Sequence, residues 1–269
     1  MASGPGAFLF ATTLASHPRP PKKRLDVLLA ERGLVDSRQK AQAVILAGEV
    51  RVNGQRADKP GAMFSADAQI EIAGKASRYA SRAGEKLEGA LRDFEANPAD
   101  RICLDAGSST GGFTDCLLQH GAAKVYAADV TISQLAWKLQ RDPRVVPLQM
   151  NVRYLTPEDL PERPSLITAD LSFISLAKVL PALAAAAHEN AQFLLLIKPQ
   201  FELERGEVGK GGIVRDPQLH ERAIERVRQA AQACGLRVLG VLPSRVPGAG
   251  GNQEFFLYAL RGASAKTST

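Results

Sequence analysis

The stretch DAGSSTGGFTD, Asp105 to Asp115, follows the apolar residues Ile102-Cys103-Leu104 and leads into Phe113, Cys116, Leu117 and Leu118. A glycine-rich turn therefore joins a strand to a helix, an arrangement that commonly holds a ligand against a helix N-terminus. A triphosphate loop needs G-x-x-x-x-G-K-[ST], and no lysine follows Gly111-Gly112. A dinucleotide loop needs G-x-G-x-x-G. The spacing here is G-x-x-x-G-G, and a carboxylate at Asp105 would repel a pyrophosphate. A cationic ligand suits it better. S-adenosylmethionine has an ammonium and a sulfonium and no phosphate, and glycine lets the backbone approach it closely. The expected donor site is Asp105, Gly107, Ser108, Thr110, Gly111, Gly112 and Phe113. Asp129 joins them: it ends KVYAAD, 24 residues past Asp105, where an acid can accept both hydroxyls of a ribose.

Four more polar residues lie where elements begin or end. Lys86 opens a helix, Asp170 closes SLITAD, Lys198 closes FLLLIK, and Glu254 opens the last strand after SRVPGAGGNQ. A lysine at the end of a buried strand is costly unless it is used. Each residue also has a plainer reading. Lys86 and Lys198 could be solvated, Asp170 could cap a loop, and Glu254 could be an edge-strand charge.

The elements that must position these groups follow from the apolar pattern. Strands are expected over 101–105, 124–129, 145–148, 165–169, 192–197, 236–242 and 254–260. Helices are expected from Glu85 and over about 112–120, 133–140, 176–189 and 217–234. Such alternation predicts an α/β fold, a parallel doubly wound Rossmann-like sheet with ligands at the C-terminal strand ends. Ahead of it, Leu25, Leu28 and Leu29 mark a short helix stopped by Gly33, and Ser37 caps a second that ends at Gly48. Val50 and Val52 alternate with charged residues, Asn53-Gly54 is a tight turn, and Ile70 and Ile72 mark a returning strand. The expected domains are a small α+β module over 22–74, a linker over 75–82, and a large domain over 83–262. Disordered ends are expected over 1–21 and 263–269.

The charge is uneven. Residues 18–60 hold ten Lys/Arg against five Asp/Glu, so nearly all of the net +6 lies on the first sixty residues. A polyanionic partner is the natural reading, with a merely soluble basic segment as the alternative. The three cysteines are scattered and the four histidines form no cluster, which excludes a disulfide framework and a zinc site and fits a reducing cytoplasm. No apolar run reaches the ~18 residues of a membrane span. GAFLFATTLA, residues 6–15, only faintly resembles a signal segment, since no positive charge precedes it.

The stretches RLDVLLAERGLVDSRQKAQAVILAGEVRVNG, SRAGEKL, LDAGSSTGGFTD, ADLSFISL, IKPQFE and GGNQEFF resemble the TlyA (hemolysin A) family of ribosomal RNA methyltransferases. The resemblance runs from about Lys23 to Leu260. It implies an RNA-binding domain of the ribosomal small-subunit protein four type joined to an FtsJ-like S-adenosylmethionine-dependent methyltransferase domain. It also implies a ribose 2′-hydroxyl of ribosomal RNA as acceptor, in cytidine, with free RNA or ribosomal subunits as partner and the cytoplasm as location. By motif, the family's Lys-Asp-Lys-Glu tetrad falls on Lys86, Asp170, Lys198 and Glu254. Lys198 is the expected general base, which must be neutral to act. Lys86 is the expected nearby cation, and the two acids orient the lysines and the ribose. Expected RNA contacts are Arg24, Arg38, Lys40, Arg51, Arg82 and Lys210. The segment ELERGEVGKGGIV, rich in glycine, is expected to be mobile and to close over RNA with Arg205 and Lys210 near phosphates. A catalytically inactive RNA-binding protein and a pore-forming haemolysin are the competing readings. Neither a metal nor an oligomeric state is implied.

Overall fold

A computed structural model describes residues 21–35, 37–72, 78–204 and 206–262, the side chains of Lys210 and Ala249 aside. The expected disorder of 1–20 and 263–269, residues 75–77 of the expected linker and Arg205 lie outside the described residues.

The basic segment folds around its own core. Strand β1 (Lys22–Arg24) runs straight into helix α1 (Leu25–Glu31), and α2 (Arg38–Leu46) begins where Ser37 Oγ accepts the Lys40 N–H. Strands β2 (Val50–Val52), β3 (Gln55–Arg56), β4 (Met63–Ser65) and β5 (Ile70–Ile72) follow. Leu25, Leu29, Ala41, Ile45, Val50 and Val52 are buried together, as the helical and alternating spacings predict. Two features go beyond the expected pair of strands. β3 adds to β2 after the Asn53-Gly54 turn, and β1 pairs antiparallel with β4 as a separate ribbon.

The large domain begins with α3 (Ala83–Asp93). Then come β6 (Ile102–Ala106), α4 (Gly112–Gln119), β7 (Lys124–Asp129), α5 (Trp137–Gln140), β8 (Val145–Gln149) and β9 (Leu166–Ala169). The chain continues through α6 (Leu180–Ala186), β10 (Gln192–Ile197), α7 (Pro199–Glu202), α8 (Pro217–Ala233), β11 (Leu236–Pro243) and β12 (Phe255–Arg261). Seven strands form one sheet in the order β11-β12-β10-β9-β6-β7-β8. Its central strands are apolar on both faces, and two buried clusters cover them, one on each side.

Alternation alone predicts a wholly parallel sheet, and the observed sheet departs from it. β12 inserts between β10 and β11 and runs antiparallel to both. Two expected helices are also shorter. The 133–140 segment splits into a 3-10 turn (Ile132–Gln134) and α5, because Leu135 and Ala136 are extended between them. The 176–189 segment starts as a 3-10 turn (Leu176–Lys178), with Pro181 in the first turn of the α6 that follows.

Candidate active site

Strands β6, β7, β9 and β10 are mutually parallel, so their carboxyl ends deliver Asp105, Asp129, Asp170 and Lys198 to one edge. The turn after β6 is held open by glycine. Gly107 has φ +88°, and a Cβ there would lie 2.6 Å from the Asp170 carbonyl oxygen. Only glycine lets the DAGSSTGG loop touch the backbone of the Asp170 loop. Gly111 (φ +93°) is pressed on by Leu135 and Leu139, and a Cβ on Gly112 would meet Ser81 Oγ.

Asp105 is fully buried. Thr114 Oγ1 donates to its Oδ2 at 2.6 Å, while Oδ1 has no partner. Burial pushes the carboxyl up to about 7, against the Thr114 hydrogen bond and with help from the nearby Asp170 and Asp129. A buried, half-satisfied acid of this kind fits a cationic ligand group such as an ammonium. The Ser108 hydroxyl is also buried without a partner. Asp129 has a structural task of its own. Its oxygens accept the N–H groups of Ser109 at 3.0 Å and Thr131 at 2.9 Å, so it clamps the glycine loop to the end of β7. Second lone pairs on both oxygens stay available for hydroxyl donors.

The four expected catalytic residues form two ion pairs. Lys86 Nζ donates to Glu254 Oε2 at 2.6 Å, and Lys198 Nζ lies 2.5 Å from Asp170 Oδ1. Lys198 also donates to Ser172 Oγ at 3.1 Å. The pairs feel each other, Lys86 acting on Asp170 and Glu254 on Lys198. Burial resists the charge on Lys198, but Asp170 and Glu254 outweigh it and hold the ammonium above its ordinary range. Asp170 is likewise buried, yet Lys198 and Lys86 keep it below the ordinary carboxylate range. The neighbours in this arrangement therefore favour the charged form of Lys198. Gly248 supplies the room for Glu254, since a Cβ there would fall 2.1 Å from Oε1.

A cavity of about 250 Å³ opens over these groups. Gly107, Ser108, Thr110, Gly112 and Phe113 line it with Lys86, Asp170, Ser172 and Lys198. Its far wall is the end of α1 and the turn after it, including Arg32 and Gly33 of the basic module. The Arg32 guanidinium is anchored on the carbonyl oxygens of Ala66 and Ala68. Asp129 is outside this lining.

The expected RNA contacts spread over both parts. Arg24 and Arg38 converge on Asp26, a fully buried carboxylate that the sequence did not single out. Arg24 donates through Nε and Nη2 at 3.0 Å, Arg38 through Nε at 2.9 Å, and Gln42 at 3.0 Å. Arg51 and Lys40 are exposed on the same module. Arg82 lines the cavity and reaches the Pro247 carbonyl at 3.4 Å. Lys210 opens a 3-10 turn, its side chain outside the described residues. The glycine-rich segment is tied down at its ends. Glu202 is buried at one, and at the other Asn252 accepts the Val214 N–H and donates to the Gly212 carbonyl. Ser172, Glu202 and Asn252 escaped the sequence reading. Each lies inside or beside a quoted motif, but none carries a spacing that signals its contact.

The FtsJ-like methyltransferase pattern matches residues 79–261, and the S4 domain pattern matches residues 23–70. The chain belongs to the FtsJ-like methyltransferase family. Its catalytic domain is that of an S-adenosylmethionine-dependent methyltransferase, with an S4 domain ahead of it. The chain is 49% identical over 239 residues to the 16S/23S rRNA (cytidine-2'-O)-methyltransferase TlyA of Mycobacterium tuberculosis, covering 88% of this chain and 89% of that one. A solved structure from Streptococcus thermophilus, of a protein proposed to be a hemolysin, matches with a TM-score of 0.79 and 44% identity over 91% of this chain and 90% of that one. An S-adenosylmethionine-dependent methyltransferase from Mesorhizobium loti shares the fold alone, with a TM-score of 0.50 and 15% identity over 65% of this chain and 97% of that one.

Proposed function

We propose that this chain transfers the methyl group of S-adenosylmethionine to a ribose 2′-hydroxyl of cytidine in ribosomal RNA, using Lys86, Asp170, Lys198 and Glu254. The observation that carries this reading is the meeting of two half-buried lysine–carboxylate pairs over one cavity, beside the glycine turn and the half-satisfied Asp105. The 49% identity to an enzyme named for that reaction supports the substrate class.

When bound, the donor supplies an electrophilic methyl group on sulfur. Asp105 Oδ1 receives its ammonium, directly or through a water, and Asp129 its ribose hydroxyls. The glycine turn leaves room for the backbone to lie against it. Lys86 and Glu254 hold the acceptor ribose from the α3 side. Asp170 and Ser172 fix the Lys198 side chain at the β10 end. With a second cation beside Asp170, Lys198 loses part of the attraction that keeps it protonated. Lys198 would then give its own proton to solvent, and its free amine would take the 2′-hydroxyl proton as the oxygen–carbon bond forms and the carbon–sulfur bond breaks. The proton thus ends on Lys198, and the positive charge on sulfur is discharged.

The S4 module supplies affinity for the RNA backbone through Arg24, Arg38, Lys40 and Arg51, and it walls the acceptor side of the cavity through Arg32 and Gly33. Among the described residues, no helix is long and apolar enough to cross a membrane. The partner is a ribosomal subunit or its RNA, and the site of action is the cytoplasm. Tritiated methyl transfer to isolated ribosomal subunits tests the reading. Incorporation into RNA is expected with the wild-type chain and not with Asp170→Asn. Absence of incorporation into either subunit or its free RNA would overturn it.

A further inference from the structure

The loop that carries Asp170 contains a turn its own residues disfavour. Phe173 holds φ +65°, a left-handed conformation that a bulky residue adopts only where its surroundings enforce it. Burial of the ring does not enforce it, because Phe173 is 92% exposed and its ring packs against Phe201 alone among aromatic rings, at 5.2 Å. The restraint comes from both sides of the turn. Before it, Lys198 pairs with Asp170 and donates to Ser172 Oγ. After it, Glu202 reaches across from α7. Ser175 Oγ donates to Glu202 Oε2 at 2.5 Å, and the Leu176 N–H donates to Oε1 at 2.8 Å. Arg226 in turn donates to the Glu202 carbonyl at 2.7 Å, which fastens the end of α7 to α8.

Lys198 and Glu202 therefore grip the two ends of one loop from one short stretch of chain. Glu202 is 2% exposed and has no part in the chemistry described above. We propose that Glu202 is a positioning residue for methyl transfer, whose carboxylate pins residues 170–176 against residues 198–202 and so sets Asp170 and Ser172 at the Lys198 ammonium. The inference rests on the assignment of Lys198 and Asp170 to the reaction. Burial raises the Glu202 carboxyl, opposed by Ser175, Leu176 and Arg226, so the two donors are what favour its ionised form. A residue that served only to cap the 3-10 turn at Leu176 would alter stability and leave the rate at saturation unchanged.

The test is single-turnover methylation of ribosomal subunits at saturating donor by wild type, Glu202→Ala, Glu202→Gln and Ser175→Ala, with donor affinity measured by calorimetry. Misplacing reacting groups by about 1 Å can cost ~100-fold, so Glu202→Ala is expected to slow transfer by roughly 10–100-fold. Donor affinity should stay unchanged. Glu202→Gln keeps one acceptor oxygen and should recover part of the rate, and Ser175→Ala should fall between it and wild type. If Glu202→Ala does not fold, the two milder variants decide. Wild-type rates in the variants, or donor affinity falling in step with rate, would overturn the inference. A wild-type chain that transfers no methyl group would sink the functional assignment instead.

Discussion

Among the described residues two aspartates are fully buried, one in each part, and they are used in opposite ways. Asp26 in the S4 module is surrounded by donors from Arg24, Arg38 and Gln42, and the Arg24 hydrogen bonds hold it far below the usual carboxylate range. Asp105 in the methyltransferase domain has Thr114 on one oxygen and nothing on the other, and burial drives it up to about 7. A carboxylate satisfied by its own chain organises that chain. Asp26 turns two half-exposed arginines into a fixed pair of guanidinium groups. A buried carboxylate left half-satisfied is destabilising by itself, and such cost persists where a ligand relieves it. On this reading the module provides affinity from a finished charge array, whereas the catalytic domain keeps its charges unfinished until the donor arrives.

The largest expected effect lies on the catalytic side of that contrast. Lys198→Ala should reduce single-turnover transfer by about 100-fold or more while donor binding is kept. Lys198→Arg should not restore it, since a guanidinium stays protonated. Near wild-type transfer by Lys198→Arg would show a fixed cation rather than a base, and the ion pair with Asp170 would then resemble the Asp26 array.

Asp105→Asn should come next. Losing a charge-assisted bond to the donor's ammonium costs on the order of 1.5–3 kcal/mol of affinity, read by calorimetry. The ligand-free protein should respond in the other direction. Asp105 is raised from about 3.9 in the unfolded chain, so its favourable neutral form is fully present below that pH. That contribution is lost as pH rises through about 7. Asn has no such loss. Thermal unfolding of the ligand-free variant should therefore match wild type near pH 4 and exceed it by a few degrees at pH 8. A variant less stable than wild type at pH 8 would contradict the half-satisfied description.

The module's arginines should give smaller and different effects. Arg24→Ala or Arg38→Ala should weaken RNA binding and reduce the slope of log affinity against log salt by about one for each lost phosphate contact. The rate at saturating RNA should hold. An unchanged slope would mean the pair does not meet phosphates. Smallest is Asp26→Asn. The Asp26 carboxyl is depressed, so its contribution is present above about pH 4 and lost as pH falls. The variant should melt a few degrees lower at pH 7, with the gap closing in strong acid. An equal gap at both pH values would assign the loss to packing rather than charge.

The contrast also explains what was legible in the sequence. LDAGSSTGGFTD could be read because strand, glycine turn and helix are consecutive, and Asp129 followed from the next strand end. Lys86, Asp170, Lys198 and Glu254 were placed by motif. Their pairing, Lys86 with Glu254 and Lys198 with Asp170, depends on four separate elements meeting and has no local signal. The charged state of Lys198 depends on that pairing, so it too was hidden. Asp26 carries no local signal either, because Arg38 and Gln42 reach it from another helix. The insertion of β12 between β10 and β11 escaped for the same reason, since apolar spacing marks a strand without naming its neighbours.

The most direct test concerns where the methyl group goes. Ribosomal RNA labelled by the chain with tritiated S-adenosylmethionine can be hydrolysed in alkali, which cleaves only next to a free 2′-hydroxyl. A methyl group on cytidine ribose predicts that the label survives in an alkali-resistant dinucleotide beginning with C. Label released in mononucleotides would place it on a base, and the account of Lys198 and its partners acting on a 2′-hydroxyl would be wrong.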